Sequence, residues 1–154
     1  MAFQIVLLSG RVASGKTTLW QQLTTKFPRE HIHVLKTKNL VRELALKSLG
    51  RDLPAERRAM QDFGDKLDQD TNGQWVRDGL TSLVNQFISS EPSSVFIVDA
   101  VRVRSQIKAI REAFGFSVNH IHLKAPEEDL AARYKHRISD MRELRSFKDV
   151  AENP

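Results

Sequence analysis

Short apolar runs alternate with longer amphipathic stretches along the chain. Residues 3–9 are almost continuously apolar, the pattern of a strand buried on both faces. Residues 10–15 follow as a loop. Residues 16–27 then place Leu19, Trp20 and Leu23 at helical spacing until Pro28 stops the helix. Residues 31–36 predict a second strand, and residues 39–49 a helix closed by Gly50. Leu53 and Pro54 open another helix, with Ala59, Met60, Phe63 and Leu67 on one face. The helical rhythm resumes over residues 75–88 through Val76, Leu80, Leu83, Val84 and Phe87. A polar break at 89–94 precedes four apolar residues, 95–98, that end at Asp99 and predict a central strand. A helix over 105–114, a strand over 117–123 and a helix over 127–137, entered after Pro126, complete the pattern. Residues 138–154 are polar and weakly periodic.

Strands alternating with helices predict an α/β fold, a three-layer sandwich around a mostly parallel sheet of four to five strands. The length of 154 residues suits one domain, and 40% hydrophobic with 28% charged residues is a globular composition. The chain has no cysteine, which excludes disulfide scaffolds, thiol catalysis and cysteine-ligated zinc. The first residues lack a basic start and a small-residue cleavage site, and they read as a strand rather than a signal peptide. No apolar run approaches the roughly 18 residues of a membrane span. A cytoplasmic, reducing setting is the expectation. The net charge of +5 lies within residues 101–148, which hold eleven Lys/Arg against six Asp/Glu. That local excess suits a polyanionic partner, nucleotide or nucleic acid.

The chemistry narrows at Gly10, Arg11, Val12, Ala13, Ser14, Gly15, Lys16 and Thr17, which fit G-x-x-x-x-G-K-[ST] in full between a predicted strand and a predicted helix. Glycines in such a loop let backbone N–H groups turn inward around a phosphate, and the helix N-terminus adds positive potential. The expected ligand is ATP, bound by residues 10–18 including Thr18. Lys16 would bridge the β- and γ-phosphates, and the Thr17 hydroxyl would ligand Mg²⁺. Asp99, at the carboxyl end of a buried strand, is the expected second magnesium residue.

Beyond the loop, the sequence resembles the nucleoside monophosphate kinases, the adenylate kinases and phage-type deoxynucleoside monophosphate kinases among them. Thr37-Lys38-Asn39-Leu40-Val41-Arg42 is similar to that family's T-x-x-x-x-R segment, which implies that Thr37 and Arg42 touch the acceptor nucleotide. Asp99-Ala100-Val101-Arg102 resembles a D-G-x-P-R stretch shortened by one residue, with Gln106 at the spacing of a base-reading glutamine. Arg133 and Arg137 look like the arginines that precede the family's lid, and Arg142 and Arg145 occupy the place of lid arginines over about 137–147. The resemblance implies a phosphate-loop kinase that moves the ATP γ-phosphoryl group to a nucleoside or deoxynucleoside monophosphate, with Arg133, Arg137, Arg142 and Arg145 around the transferred group. Such transfer needs two anions held in line and their charge neutralised, a task that suits arginine forks. Arg133 and Arg137, four apart on a helix, share a face.

The departures are informative. Ala100 replaces a family glycine, the proline before Arg102 is missing, and the lid is short. Family members carry one more strand after the lid, whereas seven residues follow Phe147. The expectation is therefore a piece of a longer protein, the alternative being a four-stranded sheet. Two rival functions remain open: a nucleotide-binding module with weak turnover, and a kinase for another small acceptor such as dephospho-coenzyme A or a sugar acid. A nucleic-acid partner is not expected, because phosphate contacts account for the basic residues. Arg57, Arg58, Gln61 and Asp65, around the helix glycine Gly64, are further candidates for the acceptor pocket. His31/His33 and His120/His122 alternate as strand residues do, without an evident carboxylate partner for a metal. Trp20 and Trp75 lie on apolar helix stripes and are expected in the core.

Overall fold

The computed structural model describes residues 3–54 and 57–138. Four strands, β1 (Gln4–Gly10), β2 (Ile32–Lys36), β3 (Val95–Asp99) and β4 (Val118–Leu123), form one parallel sheet in the order β2-β3-β1-β4. The helices are α1 (Lys16–Lys26), α2 (Thr37–Leu49), α3 (Arg57–Thr71), α4 (Gln74–Phe87), α5 (Arg104–Phe114) and α6 (Glu127–Ile138). These bounds depart from the sequence expectation by a few residues at most. The one addition is a 3-10 turn at Gly115–Ser117 between α5 and β4. Gly115 stops α5 there with a positive φ of 59° and an N–H donated to Arg111 O.

Strand β1 lies between β3 and β4, which is why its sequence is apolar on both sides. Ile5, Leu7 and Leu8 are all essentially fully buried. Ile5 and Leu7 share one face with Phe96 and Val98 of β3, and there they pack with Val76, Leu80 and Val84 of α4 and Ile110 of α5. Each fully buried aliphatic or aromatic side chain of this set contributes roughly 1.5–3 kcal/mol. Leu8 and Ile97 alternate to the other face. Helix α1 runs against β1 and β3 but buries none of its side chains completely. Its apolar stripe of Leu19, Trp20 and Leu23 is narrow, so Trp20 is half-buried rather than in the core. Trp75, by contrast, is a core residue.

A polar network joins α3, α4 and α5 above the main core. Gln106 is 1% exposed, and its side-chain oxygen accepts the Arg102 N–H at 2.8 Å. Its amide nitrogen donates to both Asp68 carboxylate oxygens at 2.9 and 3.0 Å, and the Trp75 indole N–H donates to Asp68 Oδ1 at 2.6 Å. Removing the Gln106 amide leaves the Arg102 N–H without its acceptor and leaves Asp68 with the Trp75 indole as its remaining donor in this network. Gln106→Ala should therefore cost about 1–3 kcal/mol of stability in urea denaturation. A loss below about 0.5 kcal/mol would place the network among ordinary surface contacts.

Candidate functional site

The carboxyl ends of the parallel strands share one edge, and the conserved geometry of such sheets puts ligands there. Register pairs Leu8 with Asp99, and Lys36 with Asp99, so the loop after β1 and the end of β3 are neighbours. The loop begins at Gly10, whose φ is 140° and whose position no side chain could share. A Cβ there would lie 2.4 Å from Leu123 O and 2.8 Å from Ser14 Oγ. Ala13 and Gly15 are also left-handed, and Gly15 caps α1. Successive residues of this kind turn backbone N–H groups to one side, the arrangement that cradles anions. Lys16 curls over the loop, with Nζ donating to Gly10 O at 2.7 Å, Arg11 O at 2.9 Å and Ser14 Oγ at 3.3 Å. Ser14 is buried, Val12 half-buried, and Thr18 exposed in the first turn of α1. Arg11 reaches across to Glu127 at the start of α6, 3.9 Å away.

The Thr17 hydroxyl donates to Asp99 Oδ2 at 3.2 Å, bringing together two residues 82 apart in sequence. A hydroxyl and a carboxylate are hard oxygen donors. Mg²⁺ takes oxygen ligands of this kind, so the Thr17 hydroxyl and the remaining oxygen of Asp99 fit the ion. Sequence reasoning missed the third member. The Trp20 indole N–H donates to the same Asp99 Oδ2 at 2.8 Å, and the Lys36 ammonium sits 4.9 Å over the indole ring. One signal was available: Trp20 follows Thr17 by three residues on a helix and so shares its face.

On the other side of Asp99, the Thr37 hydroxyl accepts the Ala100 N–H at 3.2 Å and lies 3.0 Å from Ala100 O, pinning the start of α2 to the end of β3. The Nε of Arg42, further along α2, is buried with no hydrogen-bond acceptor among the described residues. Arg102 lies over α3, where a Cβ on Gly64 would stand in ordinary van der Waals contact, 3.4 Å from Arg102 Nη1. Arg102 Nη2 pairs with Asp65 Oδ1 at 2.9 Å. Gln106, the expected base reader, is buried, and both ends of its amide are bonded, to the Arg102 N–H and to Asp68. Arg133 is exposed on α6, and Arg137 follows it one turn later on the same helix. Arg142, Arg145 and most of the expected lid lie outside the described residues.

The histidine pairs resolve differently. Glu91 is the carboxylate beside His31 and His33, with Oε2 2.7 Å from His33 Nε2 and 3.3 Å from His31 Nδ1. The His33 ring also stacks on Phe87 at 3.8 Å. Among the described residues, no group of three or more His, Cys, Asp or Glu is arranged to hold a metal.

His120 and His122 meet the Ser9 hydroxyl at 2.7 and 2.8 Å, immediately before the phosphate loop. Burial, then the Arg111 guanidinium and His122, lower the His120 pKa from its ordinary 6.5. The unfolded chain therefore takes up this proton more readily than the folded one. The His120 contribution is full above pH 6.5 and is lost as pH falls through that value toward the lower folded one. Urea midpoints at about pH 7.5 and about pH 5.5 should drop on acidification, and drop less in His120→Gln. Equal drops would show that His120 titrates alike in both states.

Solved structures carry the same fold at low sequence identity. A gluconokinase from Sinorhizobium meliloti 1021 matches with a TM-score of 0.53 and 16% identity, over 97% of this chain and 71% of that one. A Mycobacterium tuberculosis APS kinase, solved with AMPPNP and APS, matches with a TM-score of 0.51 and 13% identity, over 92% and 74%. A sugar kinase from Janibacter sp. HTCC2649 matches with a TM-score of 0.53 and 16% identity, over 98% and 77%. No curated protein matches the sequence. No helix among the described residues is long and apolar enough to cross a membrane. These findings support a phosphate-loop fold of kinase type, and none of them names a nucleoside monophosphate as acceptor. The model of the family described as AAA domain matches residues 5–152, and this chain belongs to that family.

Proposed function

We propose that the protein is a Mg²⁺-dependent phosphotransferase that moves the γ-phosphoryl group of ATP to a nucleoside or deoxynucleoside monophosphate. The observation that carries this reading is the Thr17–Asp99 contact at 3.2 Å, beside a complete phosphate loop closed by Lys16. The loop N–H groups and the Lys16 ammonium bind the donor phosphates and fix their orientation. Thr17 and Asp99 hold the cation, which when bound neutralises charge on the phosphates. The buried Nε of Arg42 lacks an acceptor among the described residues, and an anion would supply one. Arg102 can exchange the carboxylate of Asp65 for an acceptor oxygen, since Asp65 is half-exposed and readily hydrated. Arg133, Arg137, Arg142 and Arg145 complete the proposal as groups that neutralise the transferred phosphoryl and exclude water.

A second reading has its own support. The Gln106 amide is fully engaged, which leaves this position without a base reader, and the structural neighbours include proteins named gluconokinase and sugar kinase. On that reading the acceptor is a small sugar acid or another anion without a base.

Coupled ADP release against a panel of nucleoside monophosphates and sugar acids separates the two. Lys16→Ala should abolish most ATP affinity in calorimetry while the fold persists, and parent-like binding would dismiss the donor site. Arg42→Ala and Arg102→Ala should each lower kcat/KM for a monophosphate by about 10- to 150-fold, the equivalent of one charge-assisted hydrogen bond. Affinity for ATP should scarcely change. Equal losses with the monophosphate and its parent nucleoside would remove the monophosphate assignment.

A further inference from the structure

The Asp99 carboxylate receives two hydrogen bonds on a single oxygen. Both Thr17 Oγ1, at 3.2 Å, and Trp20 Nε1, at 2.8 Å, address Oδ2, and no described residue donates to Oδ1. A lone hydroxyl contact would leave the carboxylate free to turn about its terminal torsion, which has broad, weakly defined minima. The indole supplies a second, shorter and directional contact from a rigid ring. That ring is itself held on two sides. Helix α1 carries it one turn beyond Thr17, and the Lys36 ammonium lies 4.9 Å from its centroid, a cation–π distance. Lys36 is also the register partner of Asp99 on the adjacent strand, so the same β2–β3 pairing places the cation and the carboxylate.

We infer that Trp20 is a positioning residue for the cation of the phosphotransfer site: its N–H locks Asp99 so that Oδ1 stays directed away from the helix and available to the ion or to its water. The inference rests on the proposed donor site. It adds a residue that neither the phosphate-loop pattern nor the strand-end aspartate specifies. The lock also governs Thr17. With Asp99 Oδ2 held in place, the hydroxyl proton of Thr17 has a fixed acceptor, and its lone pairs point outward from the carboxylate. Both oxygens of the cation pair are thereby pre-oriented by one indole. Partners of this kind typically change metal affinity or activity by roughly 10- to 100-fold when removed.

The test measures binding rather than turnover. ATP is titrated calorimetrically into the full chain at a series of Mg²⁺ concentrations and in excess EDTA, for the parent, Trp20→Phe, Asp99→Asn and the double variant. Trp20→Phe keeps an aromatic ring under Lys36 and removes the N–H donor together with part of the indole's area. It should raise the Mg²⁺ concentration for half-maximal enhancement by about 10- to 100-fold, with little change in affinity under EDTA. In the Asp99→Asn background the same change should have little further effect, since the two groups act as a unit. A Trp20→Phe protein with the parent's Mg²⁺ dependence, or effects that simply add, would overturn the inference and leave the donor site standing. A parent that binds no ATP under either condition would overturn the donor site, and this inference with it. A second measurement needs no variant of Trp20. Adding Mg²⁺ to the ATP-saturated parent should shift its tryptophan emission, and Asp99→Asn should suppress that shift. An unchanged parent emission would also overturn the inference.

Discussion

The parallel pairing of β1 with β3 is the constraint on which the site depends. It sets Leu8 opposite Asp99, so the chain that leaves β1 as the phosphate loop must pass the end of β3. Everything local to the loop could form elsewhere, because left-handed backbone and a helix start are short-range properties. The meeting of Thr17 with Asp99 could not. It requires two buried strands to hold one register, and a slip by a single residue would turn Asp99 to the opposite face. The apolar side chains of Ile5, Leu7, Phe96 and Val98 therefore specify the polar edge as much as the core.

A second layer of organisation lies between α3 and α5. Asp65 and Asp68 stand three apart, one reaching Arg102 and the other Gln106 and Trp75. The segment after β3 is thus anchored to α3 by charge-assisted bonds at two heights. An amide to which the family resemblance gives a ligand is here used to tie helices together, and the tie also fixes the Arg102 backbone N–H.

Most of the fold was legible because the elements announce themselves locally: the apolar runs at β1 and β3, the stripe on α4, and the stops at Pro28 and Gly50. The phosphate loop was legible for the same reason, since its eight residues are contiguous. What escaped depended on pairings between distant segments. Periodicity counts Trp20 as apolar area and is blind to its N–H, which finds Asp99 79 residues away. It likewise cannot see that Gln106 meets Asp68 or that Glu91 meets both His31 and His33.

The Arg102–Asp65 pair has a consequence for discrimination by charge. Its guanidinium already holds a singly charged oxyanion that belongs to the protein. A visiting carboxylate would exchange like for like and would also forfeit the link to α3. A doubly charged phosphate brings more negative charge to the same fork than Asp65 can. In the proposed acceptor role, the built-in carboxylate thus sets a valence threshold: singly charged metabolites meet an occupied partner, whereas dianions can displace it.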